Sequence, residues 1–150
     1  MSTIVPLKIK RLISDAKLPS YQSNGAACFD LHVAGLNEAV ELKPGESLSV
    51  GTGLAVEIPE GHVLFIFSRS GHGFKNGVRL INGTGIIDSD YRGEIRVGLI
   101  CDAKGAPLRV ANGDRIAQAM LLPMPVVVFE EVAELSETDR GANGFGSTGQ

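Results

Sequence analysis

In the segment Gly85-Ile-Ile-Asp-Ser-Asp-Tyr-Arg-Gly93, the carboxylate of Asp88 directly follows two isoleucines, and a tyrosine comes three residues later. A carboxylate held beside an apolar run can serve as a general base for water. The preceding Asn82-Gly-Thr-Gly85 reads as a turn and the run from Glu94 as a strand, so a β-hairpin with a turn-capping aspartate accounts for much of the same pattern. Upstream, Ser68-Arg-Ser-Gly-His-Gly-Phe-Lys75 follows an apolar run at residues 62–67. It places a guanidinium, hydroxyls and unhindered backbone amides at a strand end, the parts of an oxyanion cradle or of an ordinary surface turn. Its spacing is not that of a dinucleotide-binding glycine fingerprint, and no βαβ unit surrounds it. Near the end, Gly141-Ala-Asn-Gly-Phe-Gly146-Ser147-Thr148 nearly spells a Walker A loop but lacks the lysine and any following helix. That excludes a P-loop NTPase. It leaves either a frayed terminus or an arm that closes over a triphosphate, with Arg140 as cation, glycine amides as donors and Phe145 as a stacking surface.

Further polar positions are candidates. Asp30, in Ala26-Ala-Cys-Phe-Asp-Leu-His32, lies among strand-forming neighbours and either faces a hydrated Mg²⁺ or points to solvent by simple alternation. Asp114-Arg-Ile-Ala-Gln118 follows a turn and offers a polar contact at Gln118. The three histidines, His32, His62 and His72, have no metal-ligand spacing. Cys28 and Cys101 form no Cys-x-x-Cys pattern and read as small buried residues in a reducing compartment.

Something must hold these groups in place, and the chain is long enough to build it. At 150 residues, 43% hydrophobic and 21% charged, it has the size and composition of one globular domain rather than of a disordered segment. A formal charge of −3 argues against a nucleic-acid footprint but not against a nucleotide, which needs only a few placed cations. Lys43-Pro-Gly-Glu46, Pro59-Glu-Gly61, Lys104-Gly-Ala-Pro107 and Asn112-Gly-Asp114 are turn signals. Between them Leu7 and Ile9, then Leu54, Val56 and Ile58, then Ile95, Val97 and Leu99 recur at every second position, the period of a half-buried strand. Residues 62–67 and 126–129 are continuous apolar runs, which suit strands buried on both faces or packed at a subunit contact. No stretch of helical periodicity is long enough for a major helix. The expectation is an all-β sandwich or jelly roll over residues 1–135, with a polar, glycine-rich arm at 136–150. The longest apolar stretch, residues 120–129, is too short to span a bilayer and contains two prolines. No signal peptide is evident, so the expected location is the cytoplasm.

Taken in order, these segments resemble the five motifs of the homotrimeric deoxyuridine triphosphatases. The match runs through Ala27-Cys-Phe-Asp-Leu31, Arg69-Ser-Gly71, Asn82 to Gly93, Asp114-Arg-Ile-Ala-Gln118, and Arg140-Gly to Gly146-Ser-Thr148. The resemblance implies a jelly-roll (distorted β-barrel) subunit, a homotrimer with composite sites, and Mg²⁺-dependent hydrolysis of dUTP to dUMP and pyrophosphate. It implies that Asp88 activates the attacking water and that Asp30 holds water ligands of the metal. Arg69, Ser70 and Gly71 would align the phosphates, and Asn82 with the backbone around Ile86 and Ile87 would read uracil. Tyr91 would lie against the deoxyribose, Gln118 would contact phosphate, and Arg140, Gly146 and Ser147 would grip its far end while Phe145 covers the base. Arg96, a base-proximal residue, stands where an apolar residue is common. Ser68 replaces the proline usual before Arg-Ser-Gly, and His72 and Phe74 alter the residues after it. A dCTP deaminase of the same fold and a non-enzymatic regulatory trimer are the competing implications.

Overall fold

The computed structural model describes residues 4–144; Phe145, Gly146, Ser147 and Thr148 lie outside the described residues. In chain order the elements are β1 (Lys8–Arg11), β2 (Phe29–His32), β3 (Val40–Leu42), β4 (Ser47–Glu57), β5 (His62–Phe67), α1 (Ser70–Asn76), β6 (Val78–Leu80), β7 (Gly85–Ile87), β8 (Glu94–Cys101), β9 (Leu108–Val110) and β10 (Arg115–Pro123). One sheet runs β1-β4-β8-β6, a second runs β2-β10-β5-β7, and β3 pairs with β9 in a short ribbon. All pairings are antiparallel. The chain is therefore all-β with a jelly-roll layout, and the one short helix among the described residues is the connection out of β5.

The core lies between the two four-stranded sheets. Ile95, Val97 and Leu99 point inward from β8, as their alternation predicts, and meet Leu31, Leu64, Ile66 and Ile116 from the opposite sheet. In β4 the alternation fails, because residues 50–56 are buried on both faces. Leu54 packs outward against Ala16 and Ala34 in a small second cluster, while the buried Thr52 hydroxyl donates to the Ile95 carbonyl at 2.8 Å. Residues 126–129 form no strand within the chain, and Phe129 is 93% exposed. The last strand ends at Pro123, and Pro125 follows; neither proline has an N–H to extend a ladder. The buried-strand reading of that apolar run is thus corrected. Among the described residues, no helix is long and apolar enough to cross a membrane.

Candidate active site

The segment around Asp88 is an arch between sheets, not a paired hairpin. β6 pairs with β8 in the first sheet, but after a turn at residues 81–84 the chain crosses over and β7 pairs with β5 in the second. Gly83 takes φ 71°, which a side-chain-bearing residue adopts only under strain, and its N–H donates to the Leu80 carbonyl at 3.2 Å. The β6–β8 ladder fades where the Ile81 N–H reaches the Gly98 carbonyl at 2.9 Å. Beyond that point β8 pairs only with β4, and β7 pairs only with β5. The two free edges line one cavity of about 340 Å³, with Asn82, Gly85, Ile86, Ile87, Arg96 and Gly98 around it. Unpaired strand N–H and C=O groups seek partners, and a planar base presents them along one edge. Chain crossing and strand edges thus build a slot able to read a heterocycle.

The slot continues past Ile86, Ile87 and Arg96 onto a shelf holding Asp88, Tyr91 and Glu94. Asp88 is exposed, on a turn closed by the Tyr91 N–H donating to its carbonyl at 3.2 Å. The Tyr91 hydroxyl donates to the Glu94 carbonyl at 3.0 Å, which lays the ring across Gly93. A Cβ at Gly93 would overlap that ring, so glycine is required there by close approach. Glu94 accepts the Gly53 N–H at 2.9 Å with one oxygen and pairs with Arg96 at 3.0 Å with the other. Its carboxylate occupies the space a side chain at Gly51 would fill.

A second group forms where β2, β5 and β10 meet. Asp30 is 7% exposed and lies between Arg115 at 3.2 Å and Arg69 at 3.5 Å. Gln118 sits opposite Asp30 in the register, and its Nε2 donates to the Ser68 carbonyl at 3.0 Å. The Ser68 hydroxyl accepts the Leu80 N–H at 2.9 Å, so the serine standing in place of proline ties the end of β5 to β6. Ser70 and Gly71 open α1 with Arg69 as its cap residue. Arg140 is exposed, and its Nε donates to the Asn143 carbonyl at 2.8 Å.

The predicted residues therefore fall into two groups. Asn82, Ile86, Ile87, Asp88, Tyr91 and Arg96 surround the arch, while Asp30, Arg69, Ser70, Gly71 and Gln118 gather at the sheet junction. Ile87 pairs with Leu64, whereas Arg69 lies beyond Phe67 at the other end of β5. With a strand rise of about 3.3 Å per residue, Asp88 and Arg69 leave β5 at points on the order of 17–20 Å apart. Within one chain they do not converge. Two charged residues of these groups were not singled out from sequence, Arg115 and Glu94. Each matters through a cross-strand neighbour, a relation that register alone reveals.

Protonation adds detail. Burial is the main cause holding His32 below its ordinary value of 6.5, and Lys17 lowers it further against the opposing pull of Asp30. Its Nδ1 is buried with no hydrogen-bond partner. Both cysteines are free, and burial raises the Cys28 and Cys101 thiols above their ordinary value. Among the described residues no three His, Cys, Asp or Glu side chains converge as metal ligands. Asp30, a carboxylate already paired with two guanidinium groups, fits contact with Mg²⁺ through water rather than direct coordination.

A dUTPase family model matches residues 14–149. The deoxyuridine 5'-triphosphate nucleotidohydrolase of Nautilia profundicola is 50% identical over 144 residues, covering 96% of this chain and 99% of its own. That of Corynebacterium glutamicum is 42% identical over 150 residues, covering 100% and 99%. Among solved structures, Staphylococcus bacteriophage 80alpha dUTPase with dUPNHPP superposes with a TM-score of 0.82 at 28% identity, over 97% of this chain and 99% of that one.

Proposed function

The chain belongs to the dUTPase family, and we propose that it hydrolyses dUTP to dUMP and pyrophosphate, removing dUTP and supplying dUMP for thymidylate synthesis. The observation that carries this reading is the slot of open strand edges running directly onto an exposed carboxylate. Uracil enters between β7 and β8, where backbone groups near Ile86 and Arg96 and the Asn82 side chain pair with its edge. Tyr91 packs on the deoxyribose and excludes a 2′-hydroxyl. Asp88 accepts a proton from water as the water oxygen bonds to the α-phosphorus. The bond from that phosphorus to the bridging oxygen breaks, and pyrophosphate leaves. Such chemistry rests mainly on alignment and charge stabilisation.

Arg69, Ser70, Gly71 and Gln118 grip the phosphates, but from another copy of the chain. Their place at the far end of β5 from Asp88 favours a composite site, and with it a homotrimer. The exposed apolar run at residues 126–129 supplies surface for the contact between copies. Residues 136–150 form the closing arm, with Arg140, Gly146 and Ser147 on phosphate and Phe145 over the base. Mg²⁺ bound to the triphosphate supplies further charge neutralisation. Asp30, already flanked by two guanidinium groups, would hold water ligands of that metal. A structural Mg(II) ion is named for the dUTPase of phage phi11 of S. aureus. A cytoplasmic setting, where nucleotide pools lie, goes with this activity.

Supplying dUTP and dCTP separately tests the reaction. Pyrophosphate from dUTP is expected; ammonia from dCTP without it would replace the reading with a deaminase, and neither product would favour a regulatory trimer. Asp88→Ala should cost about 10²–10⁴-fold in kcat while the imido analogue of dUTP still binds. Refolding equal amounts of Asp88→Ala and Arg69→Ala chains together should restore about a quarter of wild-type activity, because random closed trimers then contain intact composite sites. No recovery would mean that each site is built within one chain.

A further inference from the structure

His72 takes no part in the chemistry above, yet it touches the residue proposed to grip phosphate. The Arg115 carbonyl accepts two hydrogen bonds, one from His72 Nε2 at 2.9 Å and one from Arg69 Nη1 at 3.1 Å. A carbonyl oxygen only accepts, so His72 Nε2 carries a proton. Its 3.2 Å approach to Arg69 Nη1 is therefore two donors converging on one oxygen, not a bond between them. The other edge of Arg69 is fixed by Asp30, at 3.5 Å from Nε. The imidazole is held over this arrangement by the first turn of α1, where the His72 N–H donates to the Arg69 carbonyl at 3.1 Å. Beside it opens a cavity of about 280 Å³ lined by Arg69, His72, Arg109, Asp114 and Arg115.

We propose that His72 is a positioning residue for Arg69: by taking one lone pair of the Arg115 carbonyl, it steers the Arg69 guanidinium onto the other. Without the imidazole, Arg69 has both lone pairs and the neighbouring cavity to move among, with Asp30 alone to orient it. The free energy of gripping phosphate then includes the cost of re-ordering that guanidinium. The inference rests on the reading of Arg69 as a phosphate ligand.

The test compares His72→Leu, His72→Gln and Arg69→Gln, measuring kcat and KM for dUTP and the inhibition constant of dUMP, which lacks the β- and γ-phosphates. His72→Leu should raise KM about fivefold, the size of one net hydrogen bond, with kcat and dUMP inhibition unchanged. His72→Gln, whose amide nitrogen can replace Nε2, should restore KM. A wild-type KM in His72→Leu, an equal weakening of dUMP, or a failure of glutamine to rescue would overturn the positioning role. If Arg69→Gln raises KM while His72→Leu does not, only the role of His72 falls. If neither variant raises it, the phosphate reading of Arg69 falls first and takes the inference with it.

Discussion

Replacing Asp30 by asparagine removes the carboxylate between the Arg69 and Arg115 guanidinium groups and keeps its shape. In the native chain that carboxylate is 7% exposed and faces Arg115 at 3.2 Å and Arg69 at 3.5 Å. Removing one partner from a fully buried ion pair costs about 3–5 kcal/mol, because the other charge is left uncompensated. Here the Arg69 and Arg115 side chains are 22% and 44% exposed, so solvent takes up part of the deficit. That screening leaves roughly 2 kcal/mol. For a domain of this size each kcal/mol moves Tm by about 2–4 °C, so Asp30→Asn should melt about 4–8 °C lower. The melt is run in EDTA and again with Mg²⁺, and dUTP hydrolysis is followed alongside. The fall in Tm should be the same in both buffers, with KM for dUTP raised because Arg69 has lost its anchor. An unchanged Tm, with activity recovered by excess Mg²⁺, would refute the argument and make Asp30 a metal-water residue alone.

Gly93→Ala should drive the Tyr91 ring off its seat; dUTP turnover should fall and UTP turnover rise, changing their ratio by about tenfold or more. Ending the chain at Asp139 should lower kcat/KM for dUTP by about a hundredfold or more, if the arm supplies alignment, with Tm unchanged. A full rate after that truncation would assign the tail no role. For His32 the folded value lies below the unfolded one, so the unfolded chain binds the proton more readily. Stability should therefore be full above the ordinary value of 6.5 and fall as pH drops below it, until the folded state also protonates. His32→Asn should flatten that part of the profile in pH-dependent melts, and an unchanged slope would remove His32 as its source.

The strand content was legible because period-two patterning reflects a local fact, the pleat, and β8 obeys it residue by residue. It was obscured in β4, where Gly51, Thr52 and Gly53 are buried for reasons seated elsewhere: Glu94 fills the space above one glycine, and Ile13 and Ala16 crowd the other. The same distinction governs the site. Asp88 could be picked out because its oddity, a carboxylate after two isoleucines, is written in adjacent residues. Arg115 could not, because what matters about it is that β10 runs beside β2 and brings it to Asp30. Register belongs to the packed sheet rather than to any short segment.

The arch makes that point most sharply. Read locally, residues 82–94 are a hairpin, since turn residues lie between two strand-forming runs. In the folded chain β7 leaves its sequence neighbours for β5, because the second sheet offers β7 a partner edge, while β6 pairs with β8 only at Leu99, Ile100 and Cys101. A closed hairpin would have spent its N–H and C=O groups on itself and left no slot. The crossing leaves two edges open across a cavity and sends Asp88 to the end of β5 remote from Arg69. One topological choice therefore yields both a slot of open backbone edges and the separation of Asp88 from Arg69 on which the proposed composite site rests.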